Sequence, residues 1–231
     1  MKKIEDLSNY GKSLAVIIQD IPDDILKRIR KESLRIIRKK LGLLRFFRFL
    51  FSFPRQKREL SKKDLSELRK RGLNNKVFIN FMLEQTVLFL SLKTLTSEQE
   101  AIDILQEISE AVLPIIGGQI YPSSEELEQL ADPFGGFRQL FLKGFEANRE
   151  DGIHDFEIIE NNENVIHVNC TYCAIAEIAK LLTGSTKPAV PLCYYDDLFF
   201  PKWGEKLGIV YKRNSTIGKG SQACDFRYYK S

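Results

Sequence analysis

Apolar residues fall at helical spacing over most of the N-terminal part of the chain and at period two near its end. From Ile25 to about Phe53, the residues Ile25, Ile29, Ile36, Ile37, Leu41, Leu44, Phe47 and Leu50 mark one helical stripe, with Lys and Arg between them. Gly42 weakens the middle of this helix. Phe53-Pro54 ends it, because the residue before a proline disfavours helical backbone. Ahead of it, Leu7 to Ile18 reads as a short helix, and Ile21-Pro22-Asp23-Asp24 supplies a break and an N-cap. Arg55 to Ser61 reads as a basic connector. Ser61-Lys62-Lys63-Asp64 then starts a short helix that Gly72 closes.

Val77 to Leu95 is a strongly apolar helix, expected in the core. Thr96-Ser97-Glu98-Gln99-Glu100 opens the next helix with a cap and first-turn acids, and that helix runs to about Leu113, before Pro114 and a Gly117-Gly118 loop. Ser123-Ser124-Glu125-Glu126 starts a short acidic helix. Asp132-Pro133 caps another that runs to about Asn148. The period then changes. Phe156 to Glu160 and Val165 to Val168 form a hairpin around Asn161-Asn162-Glu163-Asn164. Tyr172 to Leu182 returns to helical spacing and stops at Gly184; Tyr194 to Leu207 reads as an aromatic-rich helix or turn. Gly208 to Asn214 and Ala223 to Tyr229 form a second hairpin across a Gly-rich loop. The fold class is α+β: N-terminal helices followed by antiparallel β-hairpins with inserted helices.

Charge refines the domain organisation. Of 35 basic and 31 acidic residues, 18 and 4 respectively lie between Lys27 and Arg71, so a net charge of +4 conceals a basic arm on an acidic body. The expected division is a basic amphipathic helical extension over 1–75 and an α+β hydrolase-like domain over 76–231. The arm's cations and its five phenylalanines (Phe46, Phe47, Phe49, Phe51 and Phe53) suit peripheral membrane or protein contact through residues 25–58. The bland alternative is that the apolar face packs on the body and the arginines face water. No helix-turn-helix or aromatic RNA motif points to nucleic acid. The start lacks a signal-peptide pattern, and Leu41 to Phe53 is too short to span a bilayer, so a cytoplasmic location with reduced cysteines is expected.

Chemistry concentrates between His167 and Phe226, which hold all four cysteines: Cys170, Cys173, Cys193 and Cys224. A reactive thiol needs a depressed pKa, and the start of a helix after Cys170 would provide it. Equally, free cysteine often acts as a small buried hydrophobe. Asp196 and Asp197 follow Cys193 closely enough to act as acid, base or ligand. His167, three residues before Cys170, is a candidate general base or orienting group; His154 reads as incidental. Cys170-x-x-Cys173 has zinc-pair spacing but no matching second pair, so no metal and no cofactor are expected. No P-loop, dinucleotide or Gly-x-Ser-x-Gly motif is present.

Cys170-x-Tyr172, Cys193-x-x-Asp196 and Gly220-x-x-x-Cys224-Asp225-Phe226, in that order, resemble the L-2-amino-thiazoline-4-carboxylate hydrolase family. The resemblance covers about residues 133–229 and is most specific at Gly220 to Phe226. The vinyl-reductase-like small-molecule-binding domains share a similar Gly…Cys-x-Phe ending. What the resemblance implies is an α+β ligand-binding fold and opening of a cyclic carbon–nitrogen bond, converting an aminothiazoline carboxylate to carbamoyl-cysteine. The matched positions are Cys170, Cys193, Asp196 and Cys224. Cys170 or Cys193 would be the nucleophile, or a carboxylate would activate water, with Asp196 as acid/base. His167, Tyr172, Asp197 and the Gly220 loop would contact the small-molecule substrate, the loop through its amides. The alternative is a non-catalytic small-molecule-binding or redox-sensing domain whose basic arm docks on membrane or partner.

Overall fold

The computed structural model describes residues 2–231, with backbone alone at Gln119. The expected α+β order is observed. Helices α1 (Leu14–Asp20), α2 (Asp23–Leu60), α3 (Ser66–Lys70), α4 (Lys76–Lys93), α5 (Glu98–Ile120), α6 (Ser124–Glu128) and α7 (Pro133–Glu150) precede the first strand. Then come β1 (His154–Asn161), β2 (Val165–Cys173), α8 (Ala174–Thr183), α9 (Val190–Lys206), β3 (Ile209–Lys212) and β4 (Cys224–Lys230). The four strands form one antiparallel sheet in the order β1-β2-β4-β3.

The sheet's inner face follows from period-two alternation. Ile166, Val168 and Cys170 of β2 lie opposite Tyr228, Phe226 and Cys224 of β4. Helix α7 presents Phe134, Phe137, Phe141 and Phe145 to that face at three- and four-residue intervals. Phe137 and Phe141 each pack edge-on against Tyr228 at 4.8 Å, and Phe200 of α9 joins them at 5.0 Å. Trp203 closes the cluster and donates its Nε1–H to the Pro122 carbonyl at 2.9 Å. A second core groups α4 and α8 with Ala15, Leu60, Leu68 and Leu73, and a third sets Ile36, Ile37, Leu41 and Phe49 of α2 against α5. Residues of the expected extension therefore share cores with the rest of the chain.

Several element ends differ from the sequence expectation. The N-terminal helix begins at Leu14, where Ser13 caps it, and Ile4–Leu7 is a separate 3-10 turn. Helix α2 passes Pro54 and absorbs the expected basic connector; its break is at Gly42 (φ 69°, ψ 172°), which divides it into two helices. That backbone region is essentially restricted to glycine. Helix α5 continues through Pro114 and Gly117-Gly118 to Ile120, since Val112 and Ile116 pack in the α2–α5 core. β2 extends to Cys173, so α8 starts at Ala174 and Cys173 is its N-cap, not a first-turn residue.

The α7–β1 junction tolerates no side chain. Gly152 has φ +69°, and a Cβ there would lie 2.6 Å from both the Arg71 carbonyl oxygen and the Leu73 nitrogen. Gly144, within α7, would place a Cβ 3.7 Å from Gly11 Cα, an ordinary contact. Gly152→Ala is therefore expected to destabilise the fold by about 3 kcal/mol or more, combining left-handed strain and overlap. Gly144→Ala is expected to be neutral or to stabilise by up to about 1 kcal/mol. Urea unfolding of the two variants checks this, and equal midpoints would refute it.

Candidate functional site

The four cysteines meet at one end of the sheet. Cys170 and Cys224 face each other across β2 and β4, Cys173 sits at the β2–α8 junction, and Cys193 lies on the first turn of α9. The loop before β4 crosses Cys193 so closely that a Cβ at Gly218 would lie 2.9 Å from its sulfur. The Cys170 thiol donates to the Tyr172 carbonyl at 3.0 Å, and the Ile217 amide donates to the Cys224 sulfur at 3.1 Å. All four thiols are free.

Asp196 lies one turn along α9 from Cys193. Arg213, just beyond β3, reaches back to this helix with only 2 % of its side chain accessible. Its guanidinium donates to Asp196 Oδ2 at 2.7 Å and to the Cys193 carbonyl at 2.5 Å, and pairs with Asp197 Oδ1 at 2.8 Å. Asp225 fixes the next segment: its carboxylate accepts the Asn214 and Ser215 amides at 2.8 and 2.6 Å. Burial opposes the charge on Asp225, yet these amides, with Arg227, hold its carboxyl below the usual range.

The cysteines, Asp196 and Arg213 line a cavity of about 330 Å³, within the range of small-molecule sites. Cys170, Cys173, Cys193, Asp196, Arg213 and Cys224 form its sheet-side end; α1, α2, α4, α5 and α7 contribute the rest of its wall. Burial pushes the Asp196 carboxyl up to about 6, with Asp197 adding to the rise and Arg213 resisting it. Burial also pushes up all four thiols. Cys173 reaches about 12 despite the Ala176 and Ile175 amides at the start of α8, and neighbouring thiols would repel a charge on Cys170. The expectation of a thiolate stabilised at the helix start is thus corrected: desolvation outweighs the helix amides, and the thiols stay protonated at neutral pH.

Of the sequence-predicted residues, the structure brings Cys170, Cys193, Asp196 and Cys224 together, with Cys173 beside them. It leaves four others off the cavity wall. His167 lies on the outer face of the sheet opposite Arg227. Tyr172 lies under the Arg71 guanidinium at 4.4 Å in a neighbouring core. Asp197 sits behind Arg213 and accepts from the Tyr211 hydroxyl at 3.3 Å. Gly220 ends a 3-10 turn, and its amide already donates to the Ile217 carbonyl at 2.9 Å. The Lys219 and Ser221 amides likewise serve Thr216, so these loop donors are already engaged.

Arg213 was not singled out from the sequence, where it stands alone after a strand without a motif. His154 was read as incidental, but it faces Cys173 across the β1–β2 pair and lines the cavity. Burial lowers its imidazole to about 4, and its Nδ1 is buried without a hydrogen-bond partner. Among the described residues, no three His, Cys, Asp or Glu side chains form a group able to hold a metal ion.

No curated protein and no solved structure matches the chain significantly. A family model does, over residues 80–228, a span that contains the whole sheet-side end of the cavity and begins well before the motifs that carry the resemblance. More than half of the chain lies within that match, and the chain belongs to the L-2-amino-thiazoline-4-carboxylic acid hydrolase family.

Proposed function

We propose that the sheet-side end of the cavity hydrolyses a cyclic amidine of the aminothiazoline carboxylate type, with Asp196 as general base. The observation that carries this reading is the pairing of a carboxyl near pH 6 with a cavity-facing position fixed by a buried arginine. Ionised Asp196 takes a proton from water as the oxygen bonds to the amidine carbon. The ring carbon–nitrogen bond at that carbon then breaks as Asp196 returns its proton to the departing nitrogen, so that one water has been added to give carbamoyl-cysteine and the carboxylate is restored. The protonated thiols of Cys193 and Cys224 are suited to donating hydrogen bonds to the ring heteroatoms, while that of Cys170 is held by the Tyr172 carbonyl. Arg213 acts as a positioning residue: it holds Asp196 and keeps its pKa from rising further.

A base must be ionised, so turnover is expected to rise as pH increases through about 6 and to level off above it. Asp196→Asn should lower turnover of L-2-amino-thiazoline-4-carboxylate by roughly a hundred- to ten-thousand-fold. Cys193→Ser should stay within about tenfold of the parent, because a hydroxyl replaces a neutral thiol. Mass detection of carbamoyl-cysteine reads both. Loss of all product in Cys193→Ser with activity retained in Asp196→Asn would move the nucleophile to the thiol. Folded protein that forms no product but still binds ligand would favour the non-catalytic binding module.

A second reading concerns the basic arm, and the exposed face of α2 favours it. Leu43, Leu44, Phe47, Leu50 and Phe51 follow helical spacing and are exposed, Leu44 and Phe51 at 68 % and 79 %. The opposite residue Phe49 is buried against α5, so the stripe cannot be part of that packing. Arg45, Arg48 and Arg58 are exposed beside it, and among the described residues they have no ion-pair partner. An apolar stripe rimmed by free cations complements an anionic bilayer surface, where each basic residue contributes about 1 kcal/mol. No described helix is long and apolar enough to cross a membrane. The chain is expected to sediment with vesicles containing phosphatidylserine, less so at high salt, and not with pure phosphatidylcholine vesicles. Phe47→Glu with Phe51→Glu should abolish sedimentation; unchanged binding by that variant would exclude this face.

A further inference from the structure

The cavity is much longer in apolar wall than the proposed reaction requires. A small, doubly charged ring amino acid would fill only the sheet-side end, where the polar side chains gather. The opposite wall is aliphatic and aromatic, with Ile17, Ile21, Phe78, Met82, Ile108 and Phe141 from five segments. Its polar residues are largely turned to their own backbone: the Ser33 hydroxyl donates to the Ile29 carbonyl at 2.8 Å and Ser109 to Leu105 at 3.0 Å. Asn148 accepts the Leu14 amide at 2.8 Å, so few polar side chains of the lining are left to meet a ligand, Gln85 and Tyr121 among them. Apolar wall of this extent is matched by hydrocarbon, because its burial gains roughly 0.8 kcal/mol per methylene.

The polar end has a definite sign. Two carboxylates, Asp196 and Asp197, share one guanidinium, so the local charge is negative when both are ionised. His154 is held neutral and offers no compensating cation. Its buried Nδ1 has no partner in the protein, and the residue lines the same cavity. A head group that donates hydrogen bonds suits the Asp196 carboxylate, whereas a head that is a carboxylate alone, with no amidine to turn toward Asp196, meets it unfavourably.

We infer that the cavity takes an amphiphile, with a nitrogen head group that donates hydrogen bonds at the Cys/Asp196 end and a long hydrocarbon chain along the helical wall. The inference rests on the hydrolase reading for its head-group end and names the substrate class of that site as an alkyl-bearing cyclic amidine, with alkylamines as non-reacting probes of the same site.

The full chain is melted with decylamine, butylamine and decanoate, each below its micellar concentration. Decylamine at about a hundred times its Kd should raise the melting temperature by several degrees. Butylamine should give no shift, and decanoate a smaller one. Met82→Trp, which fills the wall, should remove the decylamine shift while leaving helical circular dichroism intact. If that variant does not fold, Val112→Phe narrows the same wall by less and should reduce the shift. No decylamine shift, an equal shift from butylamine, or a shift unaffected by the filling variant overturns the chain site. Decanoate binding as well as decylamine overturns the donor head. Ring opening by protein that takes no decylamine overturns this inference alone. Decylamine binding by protein that opens no ring overturns the hydrolase reading alone.

Discussion

The buried Arg213 guanidinium is the interaction on which the arrangement of the site depends. Removing a guanidinium from water costs several kcal/mol unless its donors find acceptors. Here the acceptors are the Cys193 carbonyl and the Asp196 and Asp197 carboxylates, all within about one turn of α9. The spacing of three and four residues puts them on one helical face. One side chain therefore ties α9 to the end of β3. The next two residues donate their amides to Asp225, which follows Cys224 on β4. The helix carrying Cys193 and the strand carrying Cys224 are held in register through this charge. Loss of one partner would leave the rest as unbalanced buried charge, which is more damaging than the pair is stabilising.

The same desolvation divides the proposed chemical roles. It raises the Asp196 carboxyl into the range where it titrates near neutrality, and it moves every thiol further from ionising. Arg213 acts on the two kinds of group differently. It contacts Asp196 directly and limits the rise, but it touches Cys193 at the backbone carbonyl, and the pull of its charge on that thiol is outweighed by burial. A carboxyl that responds and thiols that do not is the condition for water activation, and it is the reverse of a cysteine–histidine pair, where a neighbouring cation lowers the thiol.

Much of this was legible in the sequence, and the gaps have physical causes. Both hairpins and most helix starts follow from turn residues and caps, as with Asn162, Ser97 and Ser123. Helix ends at Pro54 and Pro114 were misplaced because proline removes one hydrogen bond, while packing of the flanking apolar residues holds the rest of the helix. The histidine on the cavity wall was not the one favoured, for a related reason. His167 and Cys170 are three apart on one strand, so alternation alone places them on opposite faces. His154 reaches the site through the β1–β2 register, and that register includes two irregular steps that no spacing rule supplies. Arg213 was invisible because its partners lie well away in sequence, on a different element.

The N-terminal helices bear on how site and specificity are divided. The family match begins at residue 80 and includes the cysteines, Asp196 and Arg213. The cavity, however, is also walled by Ile17, Ile18, Ile21, Leu26 and Ile29, all before that point. Ile17 and Ile18 are brought into place by α1, whose cap Ser13 hydrogen-bonds Asp151 and whose Leu14 amide binds Asn148, both at the end of α7; Leu26 and Ile29 follow on α2. The polar end of the cavity thus belongs to the part shared with the family, and much of the apolar wall comes from the segment outside the match. A change in that segment would alter what fits beside the polar end without touching the groups proposed to react. The groups proposed to react and part of the apolar wall therefore come from different stretches of this chain, joined at the α7 terminus.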